Sequence, residues 1–299
     1  MGKKHKRIKR ETLISYLMIA PEMILMLIFI FIPIVYAFYI SLFDWNAMGT
    51  KTFVGISNYL KMMQDLTFKS SLLVTGKYAL IYVLTVYVLS LAAAVFVNSI
   101  RSNKRQQACR IGIYLPNTVS TIVAATLWTF LFNSRNGYIN KILEELGIGR
   151  QLFLGSRTQA LVCVAIVGIW IVFGYNMIIF LSALKDVPSE YYEAAKIDGC
   201  NRVQIFWKII LPISKSGLAT VATFVLINSW NDLFLSLLII SKQSLITLNQ
   251  VCYNMKAQYV ADYGLISAAI IILVLPVIVL FVVFQKQVIK GMTAGSVKG

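Results

Sequence analysis

The side chains that most often carry enzymatic chemistry are scarce in this sequence. Of its 299 residues one is a histidine, His5, and it lies in a basic N-terminal tail. A Ser/His/Asp catalytic set, a histidine metal site and an imidazole proton relay are therefore excluded from the body of the chain. The sequence also lacks a GxxxxGK[ST] stretch, so we expect no nucleotide binding through a Walker loop.

Cysteine is sparse as well. The four cysteines are scattered and show neither the paired spacing of a disulfide framework nor a CxxC motif (Cys109, Cys163, Cys200 and Cys252). With the histidine and the Walker loop also missing, we predict that the chain is not an enzyme. We also predict that it binds no metal and no cofactor itself.

Charged residues make up only 13% of the sequence, whereas hydrophobic residues make up 58%. Both values depart from those of soluble domains in the direction of a membrane protein. Six segments are apolar and long enough to span the roughly 30 Å of hydrocarbon in a bilayer. The sequence thus predicts an all-α, multi-pass protein of the cell membrane, with six transmembrane helices near residues 13–41, 73–100, 111–133, 158–184, 209–240 and 262–287.

The net charge of +16 raises the alternative of a nucleic-acid partner. With the N-terminus inside, 18 of the 28 lysine and arginine residues fall on cytoplasmic segments, in agreement with the positive-inside rule. A nucleic-acid footprint would instead cluster on one soluble domain. We therefore predict no nucleic-acid partner, cytoplasmic tails at residues 1–12 and 288–299, and a transmembrane domain over residues 13–287.

The longest polar passage between two apolar segments, residues 190–212, predicts two short helices. Ser189 is a suitable N-cap and Gly199 can adopt the left-handed conformation that ends a helix, which leaves about nine helical residues between them. Ala194 and Ala195 give this helix a flank with little bulk, so another surface can approach it closely.

The second short helix carries apolar residues at helical spacing, and we predict that they pack against membrane-buried protein (Val203, Phe206, Trp207 and Ile210). Helices this short are marginal alone and need such packing.

The same passage resembles a family motif. Glu193-Ala194-Ala195, three residues, Gly199, nine residues and then Ile209-x-Leu211-Pro212 match the EAA loop of binding-protein-dependent ABC importer permeases. The stretch leading into it, residues 179–192, is similar to the sugar permeases of the maltose and glycerol-phosphate type. The resemblance implies a type I importer permease whose cytoplasmic loop, residues 185–212, couples to a separate ATPase. The residues that it assigns to this coupling are Glu193, Ala194, Ala195, Asp198, Gly199, Leu211 and Pro212.

The resemblance also implies a set of partners. These are a second, related permease that forms a heterodimer with this chain, two ATPase subunits and an external sugar-binding protein. ATP and Mg²⁺ would then bind to the ATPase subunits and not to this chain. The implied function is import of a sugar, a di- or oligosaccharide, by alternating access.

A route for the sugar needs amides or carboxylates beside an aromatic ring, since sugars present hydroxyl groups and apolar ring faces. This combination occurs on span four and on span five (Tyr175, Asn176, Asn228, Ser229, Trp230 and Asp232). Polar side chains in a membrane also join helices to one another, so a purely structural role stays open for them.

An ion-coupled secondary transporter is the alternative reading. Asp232 or Glu22 would serve as its coupling carboxylate, because ionisable groups within a membrane often mark ion pathways. Such carriers usually contain broken helices at matching positions of two halves. No such pairing is evident in the sequence.

Overall fold

The computed structural model of the chain describes residues 2–46, 49–185, 187–240, 242–258 and 262–294. Most of them are helical, as the sequence predicts. The α-helices are α1 (Gly2–Met26), α2 (Ile32–Ser41), α3 (Ser57–Gln64), α4 (Leu66–Ser99), α5 (Asn103–Tyr114), α6 (Thr121–Leu131), α7 (Tyr138–Glu145), α8 (Ala160–Lys185), α9 (Ser189–Ile197), α10 (Arg202–Ile205), α11 (Leu211–Ile213), α12 (Lys215–Trp230), α13 (Phe234–Ile239), α14 (Leu248–Gln258) and α15 (Tyr263–Ala294).

The remaining regular elements are short. Two π-helical turns, Leu27–Phe31 and Phe206–Ile210, continue directly into α2 and α11. Three 3₁₀ turns are formed by Leu115–Thr118, Phe153–Gly155 and Gln243–Leu245. The two strands β1 (Phe43–Asp44) and β2 (Thr52–Phe53) pair antiparallel, with Phe43 opposite Phe53.

Four helical segments of the described chain are long and apolar enough to cross a membrane: Thr12–Ser41, Leu66–Ser99, Ala160–Lys185 and Tyr263–Lys286. They correspond to spans one, two, four and six of the sequence analysis. The second begins seven residues earlier than predicted, at Leu66 instead of residue 73. Six spans result if each of two bent helix pairs is counted as one.

Predicted spans three and five are not continuous helices. In the region of span three, the helical segments Asn103–Thr118 and Thr121–Leu131 meet at 92°. The first segment ends in the 3₁₀ turn Leu115–Thr118, which contains Pro116, whose missing N–H prevents a regular α-helix. Span five is divided in the same way, since Val203–Ile213 and Gly217–Trp230 are bent by more than 40°.

The chain divides into two compact units, a division that the sequence does not indicate. The first comprises residues 1–65 and 254–274. In it, the side-chain amide of Asn58 donates to the carbonyl oxygens of Ser41 (2.9 Å) and Phe43 (2.8 Å). The backbone N–H of Tyr263 donates to the carbonyl of Trp45 at 2.9 Å, which ties the start of α15 to the hairpin.

The second unit, residues 66–253 and 275–299, contains the packed core. Its centre is the contact of α4 with α8, onto which α12 also packs. Two glycines of α8, Gly168 and Gly174, allow neighbouring helices to approach closely. A Cβ atom at Gly174 would lie about 2.1 Å from the carbonyl oxygen of Ile113, and one at Gly168 about 2.5 Å from the ring of Tyr82.

Candidate functional site

The first helix of the loop that resembles the EAA motif is α9, and it has the predicted length of nine residues. Gly199 follows it with a φ of +77°, in the left-handed region. The N–H of Cys200 donates to the carbonyl of Ala195 at 2.9 Å, which closes a Schellman motif. The predicted helix end at Gly199 is therefore confirmed, whereas the side chain of Ser189 lies outside the described residues.

A reciprocal pair of hydrogen bonds begins the second short helix, α10. The backbone N–H of Gln204 donates to Oδ1 of Asn201 at 2.9 Å. The backbone N–H of Asn201 in turn donates to Oε1 of Gln204 at 2.8 Å. This is a capping box, and the spacing Asn-x-x-Gln is the sequence signal from which it can be found.

The turn after α10 is wider than an α-helical turn. The N–H of Leu211 donates to the carbonyl of Phe206, five residues back, so that Phe206–Ile210 forms a π-helical turn. Pro212 follows directly in α11. Because the proline ring has no N–H and clashes with the carbonyl four residues earlier, a widened turn before it relieves the clash.

The predicted packing face of this second helix is wrong in part. Val203 and Trp207 are 64% and 62% exposed, whereas Ile205 and Ile210 are buried. The wide turn places Ile210 on the face of Ile205, five residues earlier, whereas the sequence analysis assumed α-helical spacing. The exposure of Val203, which lies before the turn, has no such explanation.

The two alanines of the motif lie on different sides of α9. Ala195 is buried within the chain and Ala194 is exposed. The side chains of Glu193 and Asp198 are exposed as well, and Ile197 is 86% exposed. The loop thus presents an acidic and an apolar side chain side by side on a short helix whose other face is packed.

Beneath this helix lies a cavity of about 310 Å³. Tyr192 of α9 lines it together with Ile205 and Ile210, and with Asn98 at the end of α4. Burial raises the pKa of the Tyr192 hydroxyl above its ordinary value. Leu211 and Pro212 face a different space, a largely apolar groove of about 1170 Å³ between α4 and α12.

A polar cavity of about 260 Å³ lies between α4, α8, α12 and the 3₁₀ turn after α5. Three of the residues predicted for the sugar route line it, namely Tyr175, Asn176 and Asn228. Tyr175 is 48% exposed and Asn228 is exposed, whereas Asn176 is only 4% exposed. The amide group of Asn176 donates to the carbonyl of Val172 in its own helix at 2.9 Å, so part of its hydrogen-bonding capacity is used locally.

The other three predicted residues are not brought to this cavity. The hydroxyl of Ser229 is buried and donates to the carbonyl of Leu226 at 2.9 Å. The carbonyl of Trp230 accepts a hydrogen bond from the Asn249 amide at 2.5 Å.

Asp232 joins two elements of the second unit. It accepts a hydrogen bond from the Tyr78 hydroxyl at 2.8 Å and one from the Leu235 N–H at 3.2 Å, so it connects α4 with the start of α13. Glu22, the other carboxylate of the carrier alternative, is exposed on α1.

Three further residues line the cavity, and the sequence analysis did not assign them to the route: Tyr82, Asn117 and Phe224. Two valines fill the rest of the wall. Phe224 stands four residues before Asn228 on α12, a spacing from which it could have been found. Asn117 gives no such signal, because only the break at Pro116 brings it to α8. There its amide donates to the carbonyl of Ile171 at 3.3 Å.

Within the ranges that the structure describes, no group of three or more His, Cys, Asp or Glu residues is arranged to hold a metal ion.

The family model described as "Binding-protein-dependent transport system inner membrane component" matches residues 87–294. The chain is 32% identical over 207 residues to the trehalose/maltose transport system permease protein MalF of Thermococcus litoralis, covering 69% of this chain and 70% of that protein. It is 32% identical over 220 residues to the sn-glycerol-3-phosphate transport system permease protein UgpA of Shigella flexneri, covering 73% and 72%.

A solved structure has the same fold along the whole chain. It is a chain from the crystal structure of a bacterial ABC transporter involved in the import of the acidic polysaccharide alginate. The TM-score is 0.79 at 21% sequence identity, with 99% of this chain and 100% of that chain covered. By their names, the trehalose/maltose and glycerol-3-phosphate relatives are transport permeases and not enzymes.

Proposed function

This chain belongs to the family of binding-protein-dependent transport system inner membrane components, and on that basis we propose that it is a permease subunit of an ATP-driven sugar importer. It is a multi-pass membrane protein, and its relatives include permeases for trehalose/maltose and glycerol 3-phosphate. The proposed cargo is a di- or oligosaccharide. The chain forms half of the translocation route, a second permease forms the other half, and the route opens alternately to the two sides of the membrane.

The observation that carries the coupling part of this proposal is the geometry of α9. One face of the helix is packed on the chain through Ala195, while Glu193, Ala194 and Ile197 are presented outward. Small, acidic and apolar groups together suit a docking surface, since the small residue admits a close approach and the carboxylate can pair with an arginine. The proposed partner is a separate ATPase subunit, which holds ATP and Mg²⁺.

The helix is also well suited to transmit movement. The capping box of Asn201 and Gln204 and the Schellman motif at Gly199 satisfy the backbone groups at the junction of the two helices. The junction is therefore a defined corner, and a displacement of α9 moves α10, the π-helical turn and Pro212 with it. Through α11 this displacement reaches α12, which lines the polar cavity.

Reconstitution tests the proposal. The tagged chain is purified with its second permease and ATPase, placed in liposomes and supplied with the sugar-binding protein and a radiolabelled disaccharide. We expect uptake to require internal ATP and the binding protein and to be insensitive to a protonophore. Uptake that a proton or sodium gradient drives without ATP would contradict the proposal and support the carrier that uses Asp232 or Glu22.

A further inference from the structure

Helix α7 is attached to the rest of the chain through a buried polar side chain. Asn140 is only 1% exposed, and its side-chain amide donates to the carbonyl oxygens of Ser134 and Gln151, at 3.2 Å and 3.0 Å. Its Oδ1 atom accepts the backbone N–H of Gln151 at 2.9 Å. The amide thus fixes α7 against the loop that follows the helix.

Large apolar side chains are exposed on one side of α7. Tyr138, Ile142 and Leu146 are 55%, 55% and 69% exposed, and their interval of four residues places them on one side of an α-helix. Glu144 lies about 200° around the helix from Ile142, and it forms an ion pair with Arg150. The helix is therefore amphipathic, and a cluster of exposed apolar side chains of this kind marks an interaction surface.

The corner between α6 and α7 holds these side chains outward. Oδ1 of Asn133 accepts two backbone N–H groups of the corner, at 2.9 Å and 3.0 Å. A Cβ atom at Gly137 would lie about 2.4 Å from the carbonyl oxygens of Leu131 and Asn133, so the backbone is closely packed there. Rotating α7 to bury its apolar side would break these contacts and the hydrogen bonds of Asn140.

Hydrogen bonds also tie α7 to the end of a membrane span. The side chain of Gln159 donates to Oε1 of Gln151 at 2.7 Å and accepts the N–H of Phe153 at 2.9 Å. Helix α8 begins directly after Gln159, and its 26 residues give it a length of about 39 Å. Because the hydrocarbon of a bilayer is about 30 Å thick, the start of α8 fits the level of the lipid headgroups. The bonded α7 then lies at this level, on the side opposite the loop of residues 185–212.

The exposed side of α7 continues the apolar surface of the helix before it. Val123, Leu127 and Phe130 are exposed at helical spacing on α6. The ring centroid of Phe130 lies 6.1 Å from that of Tyr138, so the two surfaces meet. The ammonium group of Lys141 lies 5.0 Å from the centre of the Tyr138 ring. Tyrosine is enriched at membrane–water interfaces, and lysine reaches from apolar surfaces towards the headgroups.

We propose that α7 lies in the membrane interface, where Tyr138, Ile142 and Leu146 contact phospholipids of the leaflet opposite the loop of residues 185–212. An amphipathic helix binds there because its apolar side enters the boundary of the acyl chains while its charged side stays among the headgroups. The bilayer then holds the end of α6 in place through the tight corner. This surface adds a lipid partner to the protein partners of the proposed function, and it does not depend on the cargo.

Photo-crosslinking tests which molecule lies against α7. The complete transporter, with second permease, ATPase and binding protein, is placed in phospholipid liposomes with Ile142→p-benzoylphenylalanine in this chain. Irradiation joins this side chain covalently to its neighbour, and mass spectrometry of the chain identifies the neighbour. We expect a mass increase of one phospholipid. Glu144→p-benzoylphenylalanine is the matched control on the other side of the helix, and it should give no phospholipid adduct. If the Ile142 variant does not assemble, Leu146→p-benzoylphenylalanine replaces it with the same expected result.

Three results would overturn the lipid contact. A covalent bond from position 142 or 146 to the second permease or to the binding protein would assign this surface to that protein. Absence of any adduct at both positions would mean that the surface faces water. Equal phospholipid adducts at positions 142 and 144 would mean that the two sides of α7 are not distinguished by the membrane. ATP-driven uptake in the same liposomes tests the proposed function separately.

Discussion

The hydroxyl of Tyr78 on α4 donates a hydrogen bond of 2.8 Å to the carboxyl group of Asp232, a residue 154 positions later in the chain. Asp232 also accepts the N–H of Leu235, so that one side chain joins α4 to the first turn of α13. We therefore expect Tyr78→Phe to lower the thermal stability of the purified complex, by about 0.6–1.7 kcal/mol. Uptake per assembled complex should stay close to that of the unsubstituted protein.

Tyr253→Phe is the control for this prediction, because Tyr253 on α14 has an exposed ring. The opposite result, normal stability with lost uptake, would assign Tyr78 and Asp232 to transport and not to the connection of helices.

Glu193→Ala removes the exposed carboxylate of α9, the helix proposed to dock on the ATPase. A hydrogen bond to a charged group contributes about 1.5–3 kcal/mol, so affinity for the ATPase should fall roughly tenfold or more. The measurements are the amount of ATPase that copurifies and the rate of sugar uptake.

Glu190→Ala is the matched control, since Glu190 is exposed in the first turn of the same helix but lies outside the motif. Unchanged assembly and uptake in the Glu193 variant would mean that Glu193 is a solvated surface carboxylate with no partner on the ATPase.

Gly199→Val should uncouple ATP hydrolysis from uptake while the protein still reaches the membrane. A side chain at a φ of +77° strains the backbone by about 1 kcal/mol or more and shifts the corner between α9 and α10. No atom lies within 4 Å of the new Cβ position, so the effect comes from the backbone and from the docking surface.

Gly147 is a matched control for this change. Its φ is +76° and the space around its Cβ position is also open, but it lies after α7, outside the loop proposed to couple to the ATPase. Gly147→Val should therefore cost a similar amount of stability without loss of coupling. Equal coupling in both variants would refute the role of the corner at Gly199.

Gly174→Ala should destabilise the packing of α8 against α5, by about 1–3 kcal/mol or more. The added Cβ would lie about 2.1 Å from the Ile113 carbonyl oxygen, a backbone atom that cannot rotate away. Gly76→Ala on α4 is the control, because its Cβ meets no atom within 4 Å and alanine favours a helix. Thermal unfolding measures the stability of the two variant complexes. Equal stability would show that α8 shifts enough to accommodate the added Cβ.

The sequence predicts those features that depend on neighbouring residues. The nine-residue helix and the left-handed Gly199 follow from local backbone preferences, and the structure has both. The buried face of the second helix does not follow, because Ile210 joins the face of Ile205 through a wide turn that apolar spacing does not reveal.

The composition of the polar cavity depends on contacts between distant segments. Asn228 and Ser229 are adjacent, yet the first lines the cavity and the second is buried against its own helix. Neighbouring residues on a helix point about 100° apart, so only the packing of α12 on α4 and α8 decides which one faces the cavity. Asn117 reaches the cavity from a different segment, because the helix breaks at Pro116. No residue pattern within span three predicts this position.

Because of the wide turn at Phe206–Ile210, the number of residues in the loop determines the direction in which Leu211 and Pro212 point. Removing one residue from it would shorten the loop by only about 1.5 Å, but it would turn Leu211 and Pro212 by about 100° relative to Ile205. Natural variants of this segment should therefore tolerate changes of side chain far better than changes of length. The number of residues between Gly199 and Pro212 therefore sets the rotation of Pro212 about the helix axis, and it has less effect on the distance between the two residues.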